Sequence, residues 1–252
     1  MLLQDESDSI FSIMGEDGIV EYFELVLMSI VVAFFAYISI QFLKRSRRKE
    51  GFEVEKKLSL GYFFFMLSLA VGYGAYVMDR MWRFLYGFRF FGTNDNSILN
   101  RDYFLVTFFG LSLGFIFLSY VIQKHVLNQK VVVSWICGFG LIFTIFLRPI
   151  EAWLWPISED ISKNIGIVSY AVIAVVFVLL IAIYVKIAKM SPPKSDLWNR
   201  SVGFIVGACI MVAMLIIGNN QLTKEGGIFP IFGPIITLAA VFIMYYGLSR
   251  SE

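Results

Sequence analysis

Seven stretches free of Asp, Glu, Lys and Arg occupy most of the chain: Leu25 to Leu43, Leu58 to Met78, Tyr103 to Gln123, Val131 to Leu147, Asn164 to Val185, Ser201 to Thr223 and Gly226 to Ser249. A helix needs roughly 20 residues to cross the hydrocarbon core of a bilayer, and every stretch approaches or exceeds that. They are continuously apolar rather than alternating, and lipid offers exposed backbone amides no partner. They therefore read as helices and not as barrel strands. The expected fold is an all-α membrane protein: a single bundle of seven transmembrane helices over 25–249, behind a short acidic extracytoplasmic leader at 1–24.

Composition agrees. With 58% hydrophobic and 16% charged residues in 252, the chain is too apolar to hide its nonpolar groups in a soluble core. The polar segments, chiefly the leader and the loops Lys44 to Lys57 and Asp79 to Asp102, are too short for a soluble catalytic or nucleic-acid-binding module. A multi-pass protein of the cell membrane, with the lipid bilayer as its first partner and no nucleic acid, is the expectation.

Net charge is only +2, but its distribution predicts the orientation. With the amino terminus outside and the carboxyl terminus cytoplasmic, the inner segments hold Lys44, Arg45, Arg47, Arg48, Lys49, Lys56, Lys57, Lys124, Lys130, Lys186, Lys189, Lys194, Arg200 and Arg250, the majority of the 21 basic residues. Basic residues prefer short cytoplasmic loops, so the opposite orientation is disfavoured. The leader has Asp5, Glu6, Asp8, Glu16, Asp17, Glu21 and Glu24 and no basic residue before Lys44, which is not the pattern of a cleaved secretory signal. Its first span is expected to remain as an anchor.

Punctuation along the chain constrains packing. The six residues His125 to Lys130 make the third and fourth spans antiparallel neighbours. Pro192-Pro193 marks a turn between the fifth and sixth, and Pro230 and Pro234 predict a seventh helix that is kinked or begins late. Gly72, Gly74, Gly110 and Gly114 permit close helix contact. Cys137 and Cys209 lie mid-span and read as buried small apolar residues rather than as a disulfide or a reactive pair.

The least ordinary local feature is a group of charges and aromatics at the outer ends of the second and fourth spans. The second span is expected to continue as helix through Tyr86, carrying Asp79, Arg80, Trp82 and Arg83, with Asp79 and Arg83 one turn apart. The fourth offers Arg148 and Glu151, on one face if the helix runs through Pro149, followed by Trp153 and Trp155. Two readings stand. Ionisable groups near membrane depth mark functional sites, and arginine forks grip carboxylate or phosphate, which predicts an outward pocket for a small anionic or amphipathic ligand. Alternatively, the tryptophans are an interfacial belt and the arginines snorkel to headgroups.

Lys44, Arg45, Arg47, Arg48 and Lys49 read as topogenic charge that attracts anionic lipids at the cytoplasmic face, about 1 kcal/mol per basic side chain. A separate cytoplasmic signalling protein docking there is the alternative.

The enzyme chemistries considered lack their residues. A single histidine, His125, excludes histidine-rich metal sites, and no nucleophile elbow or phosphate-cradling glycine loop occurs. No lysine lies in Gly226 to Ser249 to hold retinal, and the third span ends Tyr120-Val-Ile-Gln-Lys124-His125 rather than in the Asp-Arg-Tyr triad of rhodopsin-class receptors. In span count, orientation and size the chain resembles the seven-helix input domains of some prokaryotic histidine kinases, a resemblance of architecture that no motif carries. The expectation is a non-enzymatic sensor or receptor-like module without metal or cofactor. Its pocket would comprise Asp79, Arg80, Trp82, Arg83, Arg148, Glu151, Trp153 and Trp155. A small-solute transporter or channel, and a structural subunit of a membrane complex, are the alternatives.

Overall fold

The computed structural model describes residues 16–48, 53–86, 113–154, 159–221 and 229–249, and among these every regular element is helical. Seven helices follow in order: α1 Glu16–Ser46, α2 Glu53–Tyr86, α3 Leu113–Val126, α4 Val132–Leu154, α5 Glu159–Met190, α6 Asp196–Gln221 and α7 Phe229–Ser249. Each corresponds to one apolar stretch of the sequence. Two described segments, Tyr22–Ser46 and Glu53–Trp82, are long and apolar enough to cross a membrane; Leu113–Val126, Leu197–Ala213 and Phe232–Gly247 are shorter apolar helical segments.

Helix ends run past the apolar stretches because backbone hydrogen bonding continues through polar residues until a breaker intervenes. α1 starts inside the acidic leader at Glu16, and α2 continues to Tyr86 as its sequence predicts. α4 passes through Pro149 to Leu154, and Pro234 lies inside α7. The Pro192-Pro193 turn stops α5. Lys194 takes a left-handed φ of 64°, and Ser195 Oγ accepts the Trp198 N–H at 3.3 Å to cap α6.

The helices form a closed circuit in chain order. α1 packs on α2, α4 on α5, α5 on α6, α6 on α7, and α7 returns to α1. Gly61 sets α2 against Leu118 and Val121 of α3, and Gly114 brings α3 onto the Phe65 backbone and Ser68, so its close-contact expectation holds. The basic residues Lys44, Lys57, Lys124, Lys186 and Arg200 thereby collect at one end of the bundle, hereafter the basic end.

α3 meets α4 through a buried polar clasp. The last turn of α3 widens into a π-helix, Ile122–Val126, and Asn128 turns the chain at a left-handed φ of 48°. Gln123 is thereby directed onto α4. Its Oε1 accepts from the Ser134 N–H at 3.2 Å and Oγ at 3.3 Å, and its Nε2 donates to the Lys130 carbonyl at 3.2 Å. Ser119 and Ser134 hydroxyls lie 3.0 Å apart behind it. Gln123→Ala leaves the start of α4 uncapped and is expected to cost about 1 to 2 kcal/mol, read as a melting temperature lower by roughly 3 to 6 °C.

Inside the circuit, the half nearer the basic end is filled by aromatic side chains. Tyr184 of α5 stacks on Phe204 of α6 at 3.9 Å between centroids and its hydroxyl donates to Tyr62 of α2 at 2.9 Å. Phe65 touches both Phe204 and Phe115, and Phe115 meets Phe177 edge-on at 4.4 Å. These contacts cross the bundle, joining α2 to α5 and α6 and α3 to α5. Cys137 is buried in this core as expected, whereas Cys209 is exposed on α6.

Candidate functional site

Two carboxylates, Glu24 and Asp79, are withdrawn from the surface at the end opposite the lysines. α1 and α2 form an antiparallel hairpin, so residues at similar distances from its turn stand level. Glu24 lies 22 residues before Ser46, and Tyr76 lies 23 after Glu53. They meet: the Tyr76 hydroxyl donates to Glu24 Oε1 at 2.6 Å. At 1.5 Å per helical residue Glu24 is roughly 30 Å along α1 from Lys44, one hydrocarbon core thickness.

Glu24 is 9% exposed and Asp79 is 2% exposed, which is rare for carboxylates, and both lie on the two helices with described segments long and apolar enough to cross a membrane. Arg80 stands one helical turn beyond Tyr76, and its guanidinium lies over the Tyr76 ring, 5.5 Å from the centroid. Trp82 is half-buried with its ring 4.5 Å from that of exposed Tyr86. The cluster thus combines two buried carboxylates, a guanidinium held on an aromatic face, and a tryptophan-tyrosine pair at its outer edge.

Of the residues singled out in the sequence, Asp79, Arg80 and Trp82 belong to this cluster. Arg83 follows in the helical backbone of α2, and Arg148, Glu151 and Trp153 lie in the helical backbone of α4; the side chains of these four lie outside the described residues, as does all of Trp155. The helical path through Pro149 meets the condition for Arg148 and Glu151 to share a face. Sequence reasoning missed the partnership of Glu24 and Tyr76. The signal was present: the short link between α1 and α2 makes the last acid before the first apolar stretch level with the far end of the second.

At the basic end, Lys44, Arg47 and Arg48 are exposed and Arg45 lies over the Phe42 ring at 5.8 Å; Lys49 lies outside the described residues. No group of three His, Cys, Asp or Glu side chains suited to a metal ion occurs among the described residues. No protein-family model matches the chain, and no curated protein or solved structure shows significant similarity to it.

Proposed function

We propose that this chain is a multi-pass membrane protein, amino terminus outside and carboxyl terminus cytoplasmic, that acts without enzymatic chemistry as a sensor or receptor-like module. Its ligand enters at the Glu24, Tyr76, Asp79 and Arg80 end. The membrane part is supported by the outward faces of the helices. Large apolar side chains point out of the bundle on all seven, among them Tyr37, Leu67, Phe117, Phe146, Val206 and Phe242, a surface that water penalises and lipid accepts. The gathering of lysines and arginines at the other end supports the orientation.

The observation that carries the sensing reading is the burial of Glu24 and Asp79 about one bilayer thickness from the basic end. Ionisable side chains kept at such a level face a partner or a ligand. Arg80, with Arg83 and Arg148, supplies the anion grip, Asp79 and Glu151 orient those arginines, and Trp82, Trp153 and Trp155 wall the site. The ligand class is a small anion or anionic amphiphile. The aromatic packing of Tyr62, Phe65, Phe115, Tyr184 and Phe204 across the inner half favours sensing over passage of a polar solute.

Thermal unfolding in lipid nanodiscs against a panel of anionic metabolites and lipids tests this. A ligand at 100 times its Kd stabilises by about 2.7 kcal/mol, a rise of roughly 5 to 10 °C. The rise is expected in the wild type and lost in Arg80→Gln. Equal stabilisation of both proteins would remove Arg80 from the site and sink the reading.

A further inference from the structure

The corner where the start of α2 meets the end of α3 concentrates positive charge above an aromatic, outward-facing seam. Lys56 and Lys57 on α2 and Lys124 and Lys130 at the α3 end outnumber Glu53 and Glu55, the carboxylates described there. Lys57 pairs with Glu53 one turn earlier at 2.5 Å. The π-turn that sends Gln123 inward leaves the next residue, Lys124, exposed, with its Nζ 2.6 Å from the Tyr120 hydroxyl and 5.1 Å from the Tyr120 ring centroid. His125 approaches the same ring edge-on at 6.4 Å. Its pKa is lowered, by burial first and then by the charges of Lys57 and Lys124, with Glu53 opposing.

Along the same faces, toward the middle of the bundle, the surface turns apolar. On α2, Leu60 and Phe64 lie one and two turns from Lys57; on α3, Tyr120 and Phe117 lie one and two turns from Lys124. Phe64 and Phe117 stack across the seam at 4.5 Å, and Phe117 and Leu60 are exposed. Both helices therefore present a cation, then aromatic or aliphatic carbon, in matched register. That is the polarity of a phospholipid lying along the bundle, phosphate at the basic end and acyl chain toward the middle.

We propose that this corner is a binding site for an anionic phospholipid of the leaflet at the basic end, its phosphate between Lys57, Lys124 and His125 and an acyl chain over Leu60, Phe64 and Phe117. The site is formed by α2 and α3, at the opposite end of the bundle from Glu24 and Tyr76. It rests on the membrane reading and not on the sensing one. Charge complementarity favours lipid over a protein partner, because the apolar seam continues directly from the cations and an acidic peptide would leave it uncovered.

His125 is the one histidine of the chain, so its imidazole signals need no assignment by mutation. Its titration is followed by NMR in bilayers of phosphatidylcholine, with and without phosphatidylglycerol, and a Ser191→His variant reports the general leaflet potential at the same end. On adding phosphatidylglycerol the His125 midpoint is expected to rise by about one pH unit, as an adjacent anion stabilises the imidazolium. That rise should exceed the rise at position 191 and shrink to match it in Lys57→Gln/Lys124→Gln. Equal rises at both positions, or a full rise in the double variant, would overturn the site. A comparable rise with inorganic phosphate in phosphatidylcholine would assign the corner to free phosphate and overturn the lipid. Failure of the protein to enter either bilayer would instead overturn the membrane reading beneath it.

Discussion

Gly203→Val is expected to lower stability by about 3 kcal/mol, the upper end of the usual cost of overpacking, and the melting temperature by roughly 6 to 12 °C. α6 and α7 touch backbone to backbone at this point. A Cβ on Gly203 would lie 2.7 Å from Gly247 Cα and 3.2 Å from the Ile243 carbonyl oxygen, and a Cβ on Gly247 would lie 2.8 Å from Gly203 Cα. No rotamer change relieves a collision with main chain, so the helices must separate. One turn along, a Cβ on Gly207 would collide with the Met244 side chain and lie 2.7 Å from the Ala240 carbonyl oxygen. The methionine can yield but the carbonyl cannot. In lipid, where tails are as apolar as leucine, such contacts hold helices together by van der Waals packing rather than by exclusion of water. Gly74→Ala is the control: its Cβ meets only Val32 Cγ1, at 3.7 Å, and the gain in helix propensity makes it neutral or stabilising by up to about 1 kcal/mol. Thermal unfolding of both variants beside the wild type decides the matter; a Gly203→Val protein melting with the wild type would refute the backbone contact.

Tyr76→Phe should cost about 2 kcal/mol, because it deletes the 2.6 Å donation to Glu24 and leaves a buried carboxylate short of a donor. Glu24→Gln keeps an acceptor for the tyrosine and removes the charge, so its effect should be smaller. The pairing itself is measured by a double-mutant cycle. Tyr76→Phe combined with Glu24→Leu should cost less than the two single changes added together, by about 1 kcal/mol or more. Additive losses would mean that the two groups act independently and that the cluster is not held by this bond.

The α6–α7 contact and the Glu24–Tyr76 bond differ in how far the sequence reveals them. The Gly203 and Gly207 spacing is visible in the sequence, but so are Gly72, Gly74, Gly110 and Gly114, which the sequence marks equally for close packing. Gly114 does lie against a helix backbone, Gly74 makes ordinary contact, and Gly110 lies outside the described residues. Spacing alone does not say which of several glycine-bearing faces meets another helix, since that depends on how each helix is rotated within the circuit. Glu24 illustrates the same limit at the charged end. It was legible as an acid at the edge of an apolar stretch, and its partner Tyr76 was an unremarked tyrosine within another.

What the sequence determined by itself was the number of helices and their class. An uninterrupted apolar run leaves the backbone no better choice than to satisfy its own hydrogen bonds, and that condition is local. The turn at Pro192-Pro193 and the antiparallel pairing of α3 with α4 were local in the same way, set by a breaker and by a short link. Tertiary structure alone decided that the helices close into a circuit in chain order, that Gln123 turns inward to cap α4 while Lys124 turns out, and that Asp79 and Arg80 stand beside Glu24 and Tyr76 of the α1–α2 hairpin. These depend on helix rotation and on one wide π-turn, where differences of a few kcal/mol among many packed side chains choose between arrangements that present the same apolar pattern.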